Sequence, residues 1–183
     1  MSKGSVILFI WVCLLGCFLV VAQEKTRFTL MNGKQTGILF NNKIKDTKDA
    51  NILLYSNFYG GAGVGVGDFN NDGLQDIYFA GNMVPDKLYF NQGNLKFRDM
   101  TSSAGIHDDG GWSTGVTVAD VNNDGYLDIY VSRELYDDQP LWRTNLLYIN
   151  DGNGKFVESA SKYGVDDSQR TRHATFLDYD RDG

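Results

Sequence analysis

A repeated aspartate-rich loop limits what this chain can fold into more than any other feature of its sequence. Asp-x-Asn-x-Asp-Gly-x-x-Asp occurs at residues 68–76 and again at 120–128, and a related segment, Asp-Tyr-Asp-Arg-Asp-Gly, occupies 178–183. The first two copies continue into Ile-Tyr. Successive copies start 52 and 58 residues apart, a spacing that indicates a structural repeat.

The similarity between the repeats extends beyond the loops. Leu-Tyr-Phe-Asn at 88–91 corresponds to Leu-Tyr-Ile-Asn at 147–150, and Gly105-Ile106 corresponds to Gly164-Val165. A looser copy of the latter pair, Gly37-Ile38, precedes the first loop. The same segments in the same order predict one supersecondary unit that is used several times.

Each unit contains short runs of β-branched and aromatic residues separated by Asn- and Gly-rich turns, a pattern typical of strands. No stretch after Ala22 has sustained helical periodicity. We therefore predict an all-β fold of β-propeller blades, in preference to a β-solenoid, with the aspartate loops at one end of the blades. Strands are predicted near 64–68, 76–81, 87–91 and 97–100, then near 115–119, 128–133, 146–150 and 156–159.

The chain holds about two and a half repeats of roughly 50–60 residues, whereas a closed propeller needs about four to eight blades. An incomplete propeller is therefore expected, as the N-terminal fragment of a longer protein. The predicted domains are a signal peptide at 1–22, a lead-in or first-blade segment at 23–58, and repeats at 59–183.

The loops have the composition of a calcium site, because Ca²⁺ prefers six to eight oxygen ligands and tolerates irregular geometry. A glycine at the sixth position would permit the sharp turn that the loop requires. An EF-hand is excluded, since its twelfth position needs Glu and these loops have Phe79 and Val131 there. Magnesium is less suitable because it demands stricter geometry. The predicted ligands are Asp68, Asn70, Asp72, the Leu74 carbonyl and Asp76; Asp120, Asn122, Asp124, the Tyr126 carbonyl and Asp128; and Asp178, Asp180 and Asp182.

The alternative is that these clusters are plain turns whose side chains bond their own backbone. Two complete copies in register favour the calcium hypothesis over that alternative.

The first 22 residues differ from the rest of the chain. Lys3 is followed by an uncharged, mostly apolar run to Ala22, and polar residues begin at Gln23. This pattern predicts a secretory signal cleaved after Ala22 and an exported protein. Two alternatives stay open: a lipidated Cys17, and an uncleaved membrane anchor. Cys13 and Cys17 both lie in this leader, so no disulfide is expected to stabilise the exported chain.

The net charge of -6 makes nucleic acid an unexpected partner, because phosphate binding requires a surplus of Lys and Arg. No triad, zinc cluster or phosphate-binding loop is present, and we expect no enzymatic activity. His107 and His173 are expected to be solvated loop residues, and Trp112 and Trp142 packing aromatics. The expected partner is a protein or carbohydrate ligand, with membrane contact only through an uncleaved or lipidated N-terminus.

The segments 67–77 and 119–129 resemble the FG-GAP/VCBS repeat family, and the similarity extends over most of residues 28–183. That resemblance implies a seven-bladed propeller of the kind found in integrin α-subunits. The opening, with Thr36-Gly37-Ile38 and residues 59–63, further resembles large exported bacterial proteins that carry an ASPIC/UnbV-type domain after the repeats. The implied function is a calcium-binding module for binding or adhesion; the alternative is a non-catalytic part of an exported carbohydrate-active enzyme.

Overall fold

A computed structural model describes residues 28–107, 110–135 and 140–180. The chain divides into two compact units, 1–31 and 32–183, and the architecture described here belongs to the second. The predicted signal peptide and its alternatives lie outside the described residues. None of the helices in the described ranges is long and apolar enough to cross a membrane.

In the described part of the chain, eight strands form two four-stranded antiparallel sheets, and within each sheet every strand pairs with its neighbour in sequence. The same residues include three helices of four residues each. The first sheet contains β1 (Val64–Gly67), β2 (Asp76–Phe79), β3 (Lys87–Asn91) and β4 (Phe97–Asp99); the second contains β5 (Trp112–Ala119), β6 (Asp128–Glu134), β7 (Leu146–Asn150) and β8 (Phe156–Glu158); the helices are α1 (Gly33–Thr36), α2 (Pro140–Arg143) and α3 (Ala160–Tyr163).

These two sheets confirm the predicted all-β fold of propeller-type blades, with each predicted strand within a few residues of an observed one. The largest difference is at β5, which begins at Trp112 instead of near 115. An irregularity in its pairing with β6 lies between Ser113 and Val116. The strand continues across this irregularity. The residue pattern of the sequence does not reveal such an irregularity, so the predicted strand began too late.

The glycines of β1 allow the two sheets to approach closely. A Cβ at Gly65 would lie 2.7 Å from the Val116 side chain, and one at Gly67 would lie 2.9 Å from that of Leu127. At the other end of the strand, a Cβ at Gly63 would lie 2.8 Å from the Thr114 carbonyl oxygen. β1 and β5 therefore run side by side in the same direction, so both aspartate loops leave the sheets at one end, as predicted.

One apolar core lies between the sheets. Tyr78 and Leu88 of the first sheet and Ile129 and Val131 of the second are all fully buried in it. Trp112 belongs to a second cluster, in which its ring contacts Tyr55 and Phe58, so its predicted packing role is confirmed.

Equivalent residues join each repeat to the next. Asp86 accepts hydrogen bonds from the Gly81 N–H (2.7 Å) and from the Ser113 hydroxyl (3.0 Å) at the start of the next repeat. Its counterpart Asn145 accepts one from the Arg133 N–H (2.7 Å) and donates one to the Thr171 hydroxyl (2.9 Å). Residues 171–174 thus lie beside β5 as β5 lies beside β1, although they form no strand.

The Gly-Ile pairs repeat in structure as well as in sequence. Gly37 and Gly105 both have positive φ, of 87° and 80°. A Cβ at Gly37 would collide with the Phe97 carbonyl oxygen, and one at Gly105 with the Phe156 carbonyl oxygen. The segment around Gly37 therefore packs on the first sheet as the segment around Gly105 packs on the second.

Candidate metal centres

The two complete aspartate loops connect the first and second strands of each sheet. Gly73 and Gly125 have φ values of 84° and 88°, in the left-handed region that favours glycine, so the predicted role of these residues in the turn is confirmed. Asn71 and Asn123 also have positive φ, of 55° and 57°. The sequence analysis missed these two, although Asn is the residue that best tolerates this conformation after glycine.

Side-chain oxygens converge on one nitrogen in each loop. The Asp72 N–H donates to Asp68 Oδ1 and to Asn70 Oδ1, both at 3.1 Å. In the second loop, the Asp124 N–H donates to Asp120 Oδ1 at 3.1 Å and to Asn122 Oδ1 at 3.2 Å. Two oxygens within bonding distance of the same atom must lie close to each other. The first two predicted ligands of each loop are therefore together in space.

The third predicted ligand closes the turn. Asp72 Oδ1 accepts from the Leu74 N–H and Asp124 Oδ1 from the Tyr126 N–H, both at 2.9 Å. These are the local side chain–backbone bonds that the plain-turn alternative predicts. A carboxylate has about four lone-pair sites, however, so these bonds leave acceptor capacity for a cation. The turn role and the metal role are compatible.

The closing aspartates differ from the others because they are fully buried. Asp76 accepts from the Asn91 N–H at 2.7 Å and from the Phe69 N–H at 3.0 Å. Asp128 accepts from the Asn150 N–H at 2.8 Å and from the N–H of its own loop at Val121 at 2.9 Å. Each closing carboxylate therefore fastens its loop to the third strand of the sheet.

Negative charge accumulates in both loops. Burial raises the pKa of Asp76 to about 6, against the opposing effect of its two backbone N–H donors, and the carboxylates of Asp72 and Asp68 raise it further. Burial likewise raises the pKa of Asp128, with smaller contributions from Asp124 and Asp120. A divalent cation would offset both the cost of burying these charged carboxylates and their mutual repulsion.

The donor set fits a hard cation. It consists of carboxylate and amide oxygens, which calcium prefers. Within the described ranges, no Lys or Arg forms an ion pair with Asp68, Asp72, Asp120 or Asp124. The same ranges contain no group of three or more His, Cys, Asp or Glu side chains already arranged to hold a metal. Ion binding would therefore have to draw the oxygens inward from the turn geometry.

The third predicted loop is only partly described. Asp178 and Asp180 are exposed, and Asp182 lies outside the described residues.

A residue that the sequence analysis did not single out joins the first loop to the second. Asn150 Nδ2 donates to the Phe69 carbonyl of the first loop at 2.8 Å and to the Leu127 carbonyl of the second at 3.1 Å. The equivalent Asn91 donates to the Gln75 carbonyl, which lies in the loop of its own repeat, at 3.0 Å. The sequence does contain a feature that could have indicated this role, because an asparagine ends both Leu-Tyr-Phe-Asn at 88–91 and Leu-Tyr-Ile-Asn at 147–150.

Comparison with known proteins agrees with the repeat seen in the structure. Residues 68–131, which include both complete loops, match the family of FG-GAP-like repeats. Cartilage acidic protein 1 of Homo sapiens is 31% identical over 141 residues, which cover 70% of this chain and 20% of that protein. The Mus musculus protein of the same name is 39% identical over 74 residues, which cover 40% of this chain and 12% of that protein. The chain thus spans about a fifth or less of the length of the curated relatives that it matches.

Proposed function

We propose that this chain, whose residues 68–131 match the family of FG-GAP-like repeats, is an exported, calcium-stabilised propeller module that serves in binding or adhesion. The observation that carries the calcium proposal is the convergence of the same oxygens in two separate loops. Asp68 and Asn70 meet at one N–H in the first loop as Asp120 and Asn122 do in the second.

Calcium would act on stability in this module. Each loop brings three carboxylates together, and a bound divalent ion would change the local charge from -3 to about -1. The side chains of the first, third, fifth and ninth loop positions would hold the ion, with the carbonyls of Leu74 and Tyr126 as further ligands. Since Asp76 and Asp128 are bonded to the third strands, the ion would join the loop to the sheet.

Export is supported by the apolar segment before Gln23. It also suits the proposed metal, because extracellular calcium modules bind the ion at roughly 10⁻⁴–10⁻³ M. N-terminal sequencing of secreted material should begin at or near Gln23. A lipid-modified Cys17 would instead establish the lipoprotein alternative.

The calcium proposal is tested by thermal unfolding and calorimetric titration of the full chain and of its Asp72→Ala and Asp124→Ala variants. At fivefold excess over the dissociation constant, calcium should stabilise the protein by about 1 kcal/mol per site. Each substitution removes a central ligand and should abolish the contribution of one loop. Asp166→Ala removes an exposed carboxylate outside the loops and serves as the matched control.

If calcium releases or absorbs no heat, and a chelator leaves the melting temperature of the wild type unchanged, the loops are plain turns. A calcium response that both loop variants retain in full would lead to the same conclusion.

A further inference from the structure

A cavity of about 250 Å³ lies near the starts of β1 and β5, whereas the aspartate loops follow the ends of these strands. Three parts of the repeat meet there: the lead-in before β1, the start of β5, and the segment that follows α3. Among the described residues, Arg172 is the only charged one that lines the cavity. The other lining residues include Tyr55, Asn57, Gly60, Gly61 and Thr114.

The Arg172 guanidinium is fixed on one side and accessible on the other. Its Nε donates to Glu134 Oε2 at 3.2 Å, and Glu134 is only 4% exposed. The Tyr55 hydroxyl donates to the same carboxylate oxygen. The Arg172 side chain itself is 56% exposed. Glu134 thus orients the guanidinium of Arg172, which also interacts with the Tyr55 hydroxyl, while more than half of the Arg172 side chain stays exposed where it lines the cavity.

Glycines keep the floor of the cavity open. A Cβ at Gly60 would lie 2.9 Å from the Asn57 carbonyl oxygen and 3.5 Å from Arg172 Nη2. Gly61 has a φ of 79°, which disfavours any side chain there. Within the described ranges, the N–H groups of Gly61 and Ala62 donate to no protein acceptor. Two residues that line the cavity thus have backbone donors without a protein acceptor in the described part of the chain.

A fixed guanidinium next to backbone N–H groups complements a carboxylate, which it can bind through two parallel hydrogen bonds. The remaining lining suits a hydroxylated ligand, because Asn57 and the glycine backbone offer polar atoms and the Thr114 hydroxyl, which donates to the Ser132 and Thr171 carbonyls, can still accept. The volume lies below the roughly 300–1,000 Å³ that drug-sized ligands occupy, so a single small ring fits better.

We propose that this cavity binds the carboxylate of an acidic sugar, with Arg172 as the residue that recognises the charge. The site supplies a ligand class for the proposed binding role, and it does not depend on calcium in the loops. Since the chain as a whole carries a net charge of -6, attraction of an anion here must come from the local guanidinium and not from a general field.

The test is an NMR titration of the full chain with D-glucuronate, in buffer that contains calcium throughout. D-glucose is the matched neutral probe, and acetate supplies the carboxylate without the ring. Glucuronate should shift the amide signals of Gly60, Gly61 and Gly63, whereas glucose should not. Arg172→Gln should weaken glucuronate binding by about tenfold or more, as expected for loss of a charge-assisted hydrogen bond. Arg98→Gln, at an exposed position on β4, should have no effect.

A second variant leaves the Arg172–Glu134 ion pair undisturbed. Asn57 is exposed, so Asn57→Asp adds a negative charge at the cavity while leaving the Arg172–Glu134 contact in place. It should weaken glucuronate binding several-fold, and Asn57→Ser should weaken it less.

Any of four results would overturn the proposal: no binding of glucuronate by the wild type, glucose binding equal to that of glucuronate, glucuronate binding that Arg172→Gln leaves unchanged, or acetate binding as strong as that of glucuronate. Asp72→Ala should bind glucuronate like the wild type, so a failure of the calcium proposal can be distinguished from a failure of this one.

Discussion

The two aspartate loops have nearly the same internal geometry but different surroundings. The bonds that Asp68 and Asp120 accept from the glycine N–H at each bend measure 2.7 and 2.8 Å. The bonds that Asp72 accepts from the Leu74 N–H and Asp124 from the Tyr126 N–H both measure 2.9 Å. The loops are therefore built alike by their own residues.

Their neighbours differ. The first loop receives the Asn150 side chain from the second sheet, and a Cβ at Gly154 would lie 3.5 Å from the Cβ of Asn70. Within the described part of the chain, no residue after Glu158 forms a hydrogen bond to the second loop, 120–128. The conformation of such a loop thus depends on hydrogen bonds among its own residues, and contacts from the following repeat hold it in place. Calcium ligation and stability can therefore be separated by mutation.

The largest expected effect concerns the closing aspartates. Asp76→Ala and Asp128→Ala each leave two backbone N–H groups without an acceptor in a buried environment. At about 1–3 kcal/mol for each unsatisfied donor, the free energy of unfolding should fall by roughly 3 kcal/mol even without calcium. Urea unfolding in a chelating buffer measures this. Asp68→Ala is the control: it also removes the acceptor of two backbone N–H groups, but these lie in the exposed loop where water can replace it, so the loss should be much smaller.

The difference between the loops is tested by the two equivalent asparagines. Asn150→Ala removes the bond from Asn150 Nδ2 to the Phe69 carbonyl of the preceding repeat. Asn91→Ala removes bonds only within its own repeat, among them the one to the Gln75 carbonyl. Urea unfolding should therefore show a greater loss of stability for Asn150→Ala, by about 1 kcal/mol. Equal losses for the two variants would mean that the contact between repeats at this point contributes nothing measurable.

Burial of the Asp76 carboxylate should make the free energy of unfolding depend on pH in the absence of calcium. The pKa of Asp76 is raised from 3.8 to about 6, so the folded protein binds more protons than the unfolded one between these values. The stabilising contribution of the protonated group is complete below about pH 4 and is lost as the pH rises through about 6. Because other acids titrate in this range, the measurement is the stability difference between the wild type and Asp76→Asn.

As the pH rises from about 4 to about 6, the wild type should lose stability relative to Asp76→Asn. Saturating calcium should oppose this loss, because calcium favours the charged form of Asp76. A difference that stays constant with pH in chelating buffer would contradict the burial of this carboxylate.

The smallest expected effect comes from the third loop position. Asn70→Asp and Asn122→Asp each lose an Nδ2 bond to the carboxylate two residues later, of 3.1 and 2.8 Å respectively. Calcium-free stability should fall by a few tenths of a kcal/mol, slightly more for Asn122→Asp. Calcium affinity should be preserved or tightened, since the third copy has Asp180 at this position. Calorimetric titration would contradict this if either variant bound calcium more weakly.

The sequence by itself determined the eight strands, the sheet class and the internal form of both loops. These features depend on neighbours in the chain: alternating β-branched and aromatic residues for the strands, and oxygens within nine residues of a glycine bend for the loops. The likeness of 68–76 and 120–128 also made the repeat visible without coordinates. Such short-range interactions are fixed once the residue types and their spacing are given.

The tertiary structure alone decided how the repeats hold one another and where the cavity forms. Asn150 reaches the Phe69 carbonyl across 81 positions of the sequence, and Thr171 meets Asn145 across 26. Arg172 meets Glu134 across 38 positions, and neither residue belongs to a recognisable motif. The glycines of β1 let the two sheets dock closely, and Gly115 of β5 lets the segment around Arg172 approach the second sheet. Such docking depends on the packing of many side chains at once and not on any local pattern.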